Sequence, residues 1–193
     1  MSREVVVVSG VRTAIGTFGG SLKDIPPTEL AALVVREALA RASTEGKDVG
    51  HVVFGHVVNT EPKDMYLSRV AAINGGCAET TPAFNVNRLC GSGLQAIISA
   101  SQAIALGDCD VAIGGGAENM SRGPYANLTQ RWGSRMGDVH VAGQRRKADD
   151  VLFDRGAFTD RPGPTLFGAD QGDALNRCPP TTQRMAKNKT APT

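Results

Sequence analysis

Short β-branched runs alternate along the chain with longer stretches in which apolar residues recur every three or four positions. Glu4-Val5-Val6-Val7-Val8, ended by Ser9-Gly10, predicts a strand buried on both faces. A glycine-rich loop to Gly20 follows. After Pro26-Pro27, Thr28 is placed to cap a helix with Glu29 in its first turn, and Leu30, Leu33, Val34, Ala38 and Leu39 supply the apolar stripe. His51 to Val58 predicts a second strand, in which Gly55 marks a bulge or a close approach. Asp64 is expected to cap a further helix carrying Met65, Leu67, Val70, Ala71 and Ile73, stopped by Asn74-Gly75-Gly76. Phe84-Asn85-Val86 and Val111-Ala112-Ile113 complete the strands, the last one running into Gly114-Gly115-Gly116. Strands alternating with helices predict an α/β layered fold around a largely parallel sheet.

The stretch from Leu89 to Gly107 carries no charge, and Leu94, Ile97, Ile98, Ile104 and Leu106 are interleaved there with Ser92, Gln95, Ser99, Ser101 and Gln102. The interleaved polar residues argue against a membrane span, and no uninterrupted apolar run reaches the ~18 residues a span requires. A helix uncharged all round is usually buried between two layers, so this one calls for a second sheet that the visible strands do not supply.

Composition changes the picture only at the C-terminal end. Lys and Arg number 21 against 19 Asp and Glu. Residues 1–138 carry 12 basic and 13 acidic groups, and residues 139–193 carry 9 and 6, so the slight positive balance belongs to the latter. It gives no reason to expect a nucleic-acid or membrane partner. Residues 139–193 also hold five of the ten prolines and show no period, and read as a divergent tail, disordered or out of frame. Cys77, Cys90, Cys109 and Cys178 show no C-x-x-C spacing and no leader precedes Glu4, which predicts a reducing, cytoplasmic setting without metal or disulfides.

The chemistry concentrates in Asn87-Arg88-Leu89-Cys90-Gly91-Ser92-Gly93, between a predicted strand and the uncharged helix. That spacing places Cys90 beside a helix N-terminus, where unsatisfied N–H groups and the positive end of the dipole favour a thiolate. Gly91 and Gly93 leave room for a substrate to approach the backbone. By position alone Cys90 reads either as a covalent nucleophile or as an inert packing residue. Ser92 does not lie in a G-x-S-x-G elbow, and Gly114-Gly115-Gly116 lacks the spacing of a dinucleotide or phosphate loop. His51 and His56, five apart in one strand, project to opposite faces and make poor joint metal ligands. They read as solvent-facing or satisfied side chains, and His140 lies in the divergent tail. Cys77, Cys109 and Cys178 read as ordinary small residues.

Three motifs carry a resemblance: Ser9-Gly10-Val11-Arg12-Thr13-Ala14-Ile15-Gly16, the segment around Cys90, and Gly115-Gly116-Ala117-Glu118-Asn119-Met120-Ser121. In order and separation they resemble the N-terminal half of a thiolase (acetyl-CoA C-acyltransferase). Arg131-Trp132-Gly133-Ser134-Arg135-Met136-Gly137-Asp138 extends the likeness to residue 138. The resemblance implies a thiolase N-terminal domain over residues 1–120, the start of the loop region over 121–138, and the divergent tail beyond. The family fold stacks two similar βαβ-rich halves as five layers, α/β/α/β/α, in dimers or tetramers, with the uncharged helix in the shared central layer. The resemblance also implies that Cys90 takes an acyl group from acyl-CoA as a thioester and that its backbone N–H is an oxyanion donor. Met136 falls where the family sends a methionine towards a neighbouring active site.

On this reading the reaction is a Claisen condensation of two acetyl-CoA or the thiolytic cleavage of a 3-ketoacyl-CoA, part of fatty acid metabolism. Coenzyme A enters as substrate and no cofactor is needed. The family's Asn-Glu-Ala-Phe, Gly-His-Pro and Cys-x-Gly-Gly-Gly segments, which bring the activating His and a second Cys, do not occur in this sequence. The chain alone is therefore expected to be inactive, or to serve as a non-catalytic module complementing a separate C-terminal half or a homologue. A ketoacyl synthase fits the second and third motifs less well.

Overall fold

A computed structural model of the chain describes residues 4–127, 129–133, 136–139 and 141–143. His140, Cys178 and nearly all of the expected tail lie outside the described residues. Three parallel strands, β1 (His51–Gly55), β2 (Ala83–Val86) and β3 (Ala112–Gly116), form a sheet in the order β2-β1-β3. Val52 pairs with Ala83 and Ile113, and Phe54 with Asn85 and Gly115. A two-stranded antiparallel ribbon joins β4 (Tyr125–Ala126) to β5 (Ala142–Gly143).

Helices α1 (Pro27–Ala42) and α2 (Leu67–Gly75) cover one face of the sheet and α3 (Ser92–Leu106) the other. The alternation along β1 divides the core between them: Val52 and Phe54 join Val34, Val35, Leu67 and Ala71, while Val53 turns to Ala96, Ala100 and Ile104. The α/β layering around a parallel sheet is thus as the hydrophobic pattern predicts.

Several boundaries differ from the sequence expectations. Residues 4–8 form no strand. Val8 and Val11 are buried and Val5 packs against the cluster that includes Ala96 and Ala100 of α3, but Val6 and Val7 are exposed, so the segment is covered in part only and not on both faces. Thr28 does not cap α1; the N-cap is Pro26, with Pro27 at the first helical position, and Thr28 is buried in the first turn. Asp64 lies in a 3₁₀ turn, Pro62–Tyr66, ahead of α2, and caps that turn by accepting from Thr60 and Glu61. β1 stops at Gly55 rather than Val58, and β3 begins at Ala112 and continues through the glycines to Gly116 rather than covering Val111–Ile113.

The uncharged segment forms α3 but is buried on one side only. Ala96, Ala100 and Ile104 face the sheet, while Leu94 is 64% and Leu106 80% exposed. Leu89–Leu106 is apolar and long enough by composition to cross a membrane, with a mean hydropathy of 1.4, yet its helix is seated along the sheet.

Candidate active site

Cys90 sits in the turn between the end of β2 at Val86 and the start of α3 at Ser92, at the C-terminal edge of the parallel strands. Its side chain is exposed and carries a free thiol. The turn is tied down locally. Ser92 Oγ accepts from the Arg88 N–H at 2.8 Å and donates to the Leu89 carbonyl at 2.6 Å, and Asn87 Oδ1 accepts from the Leu89 N–H at 3.1 Å. Leu89, immediately before Cys90, adopts φ 50°, a left-handed conformation that costs a non-glycine residue energy and persists only where neighbours impose it. Gly91 is the N-cap of α3, so Cys90 adjoins the positive dipole end of the helix; the Gly91 and Ser92 N–H groups beside it donate to the Arg88 and Leu89 carbonyls, each at 3.1 Å.

Glycines bring α3 against the sheet. A Cβ built on Gly55 would lie 2.4 Å from the Ser92 carbonyl carbon, and one on Gly114 would lie 2.8 Å from Ile97 Cα. The first turn of α3 therefore rests on bare backbone at the end of β1, and the close approach expected at Gly55 is observed.

Beyond the strand ends, side chains continue the β1–β3 pairing. The Ala117 N–H donates to the Gly55 carbonyl at 3.2 Å, and His56 Nδ1 lies 2.7 Å from the Ala117 carbonyl, so Nδ1 carries the donated proton. Glu118 then accepts from the N–H groups of Val57 and Val58, each at 3.0 Å. His56 is buried, with Nδ1 3.5 Å from Glu118 Oε1 and Nε2 3.8 Å from Asp64 Oδ2. Burial pushes the Glu118 carboxyl above its ordinary range; His56 and the two backbone donors pull it down, and Asp64 adds to the rise. The sequence reading did not assemble this group. Its residues are far apart in the chain, and the signal that points to it is the third motif, which sets Glu118 two residues beyond the buried strand β3.

The rest of the third motif fastens the loop before α1. Asn119 Nδ2 points at the carbonyls of Leu22, Lys23 and Ile25, at 3.0, 3.2 and 2.8 Å. Ser121 Oγ accepts from the Gly19 N–H at 2.8 Å, and Arg122 donates to the Asp24 carbonyl and pairs with Glu61.

The other candidates lie apart from Cys90 in character. His51 rests against the Phe84 ring and His56 is engaged as described, and neither hydrogen-bonds Cys90. Cys77 is buried, and desolvation pushes its thiol up to about 11, as befits a packing residue. Met136 is fully exposed. Among the described residues no group of three or more His, Cys, Asp or Glu is arranged to hold a metal ion.

A family model for the thiolase N-terminal domain matches residues 5–153. The chain is 75% identical over 139 residues to the Beta-ketothiolase BktB of Cupriavidus necator, a match covering 72% of this chain and 35% of that protein. The crystal structure of the Bacillus anthracis acetyl-CoA acetyltransferase superposes with a TM-score of 0.69 at 39% identity, over 73% of this chain and 36% of the other. That of human mitochondrial 3-ketoacyl-CoA thiolase gives 0.69 at 36% identity, over 72% and 35%. The matched region thus spans about a third of the length of these relatives.

Proposed function

From the premise that the chain belongs to the thiolase family, we propose that it supplies the nucleophile-bearing part of a thiolase and that Cys90 is that nucleophile. The observation that carries the reading is the exposed Cys90 thiol on a stapled, left-handed turn against the N-terminus of α3. Its thiolate attacks the thioester carbonyl of an acyl-CoA, the bond from the acyl carbon to the CoA sulfur breaks, and CoA leaves with a proton. The Cys90 N–H is the oxyanion donor. A second acetyl-CoA, deprotonated at its α-carbon, then attacks the Cys90 thioester and releases the thiol; the reverse direction cleaves a 3-ketoacyl-CoA. Splitting the exchange in two keeps the carbonyl activated throughout. No cofactor beyond the coenzyme A thioester enters this scheme.

No described histidine reaches Cys90, and a missing general base slows acylation by about 10²–10⁴-fold. The chain alone is thus a slow acyl acceptor without turnover. Incubation with acetyl-CoA, followed by mass analysis of the Cys90 peptide and an absorbance assay for acetoacetyl-CoA, tests both halves of the reading. We expect slow acetylation of Cys90 that Cys90→Ala abolishes. Acetoacetyl-CoA formed by the chain alone would refute the incompetence, and absence of acetyl on Cys90 would refute the nucleophile.

A second reading, a non-catalytic module completed by a separate thiolase C-terminal half or a homologue, is favoured by the uncovered face of α3, with Leu94 and Leu106 in solvent. In either case the family's oligomeric assembly would involve that completed protein. Size-exclusion chromatography with and without such a partner decides, and a stable monomer that binds neither counts against it.

A further inference from the structure

We propose that Glu118 is a positioning residue for Cys90, acting through the Gly55–Val58 segment and Ser92. The linkage is continuous. Glu118 holds the N–H groups of Val57 and Val58, and His56 and Ala117 lock the same two segments together by a side-chain and a backbone hydrogen bond. The segment so held begins at Gly55, on which the Ser92 backbone rests too closely for any side chain to intervene. Ser92 in turn holds both Arg88 and Leu89, the two residues ahead of Cys90.

The load falls on Glu118 because its carboxylate is an acceptor for two adjacent backbone donors that have left the sheet. An unpaired buried donor is expensive, so the segment follows the carboxylate. Glutamine at this position has one carbonyl oxygen for the two donors and turns an NH₂ group towards one of them. The segment then shifts, Ser92 loses its seat, and the turn carrying Cys90 moves relative to the N-terminal end of α3.

The inference rests on Cys90 as the nucleophile, but its test does not require acyl transfer. In the full 193-residue chain, the rate of Cys90 alkylation by iodoacetamide is measured by peptide mass analysis, with buried Cys77 as the reporter of global opening. Glu118→Gln is expected to slow Cys90 by about tenfold, the scale of one charge-assisted hydrogen bond, with Cys77 still protected. A Cys90 rate within about twofold of the parent chain, with Cys77 protected, overturns the proposal.

Ser92→Ala and the double variant close a cycle that stays decisive if Glu118→Gln also loosens the chain. Because Glu118 acts through Ser92, the double variant is expected to be no slower than the slower single one. Multiplicative slowing means independent effects and overturns the proposal. Failure of acetyl transfer from acetyl-CoA with this coupling intact would refute the nucleophile reading alone.

Discussion

Gly55 of β1 and Ser92 of α3 meet backbone to backbone, with no space for a methyl group between them. Replacing Gly55 by Ala forces the helix away from the sheet or bends the strand. Such overpacking costs ~1–3 kcal/mol, and urea denaturation should show a loss on that scale. A variant as stable as the parent would mean that the contact is looser than the structure has it.

Glu118 makes stability depend on pH in a defined direction. Burial raises its carboxyl in the folded chain, so the folded state binds the proton more tightly than the unfolded chain does. The contribution is fully present below the unfolded value of about 4.3 and is lost as pH rises through the raised folded value. Urea midpoints measured upward from about pH 4.3 should fall less steeply in Glu118→Gln than in the parent chain. Identical slopes would remove Glu118 as the source.

Asn119 is buried with its amide nitrogen among three carbonyls. Asn119→Ala leaves those acceptors unmatched, at ~1–3 kcal/mol. Asn119→Asp is nearly isosteric but turns an oxygen towards them, and should be the worse of the two. Thermal melts, together with the rate of tryptic cleavage after Lys23, rank the pair. Equal melting temperatures would place the role of Asn119 elsewhere than in its NH₂ group.

The two faces of α3 should respond differently to truncation. Ile104→Ala opens a cavity against the sheet and is expected to cost ~2–4 kcal/mol. Leu94→Ala, on the open face, should stay within ~0.5 kcal/mol. A large cost at Leu94 in concentration-dependent melts would show that the chain covers this face by associating with itself.

Local pattern was a good guide wherever an element is stabilised by its own neighbours in sequence. The apolar stripe from Leu30 to Leu39 settles α1, and Gly76 and Gly107 stop α2 and α3 in left-handed conformations. It failed over residues 4–8, where strand identity depends on a partner that pattern cannot supply. It also failed at Thr28 and Asp64, polar residues that stabilise positions other than the predicted caps.

Cys90 and its turn were legible because spacing alone sets a thiol beside a helix start. The seat beneath them was not. Gly55, Ser92 and Glu118 are separated by tens of residues, and only parallel pairing of β1 with both β2 and β3 gathers their segments at one edge of the sheet. The sequence by itself determined the helices, the three paired strands, the uncharged α3 and the thiolase motifs, all encoded in local periodicity or short consecutive runs. The tertiary structure decided which backbone donors Glu118 satisfies, why Gly55 has no side chain, and which face of α3 stays open. Those depend on distances between segments that meet only when the sheet has formed.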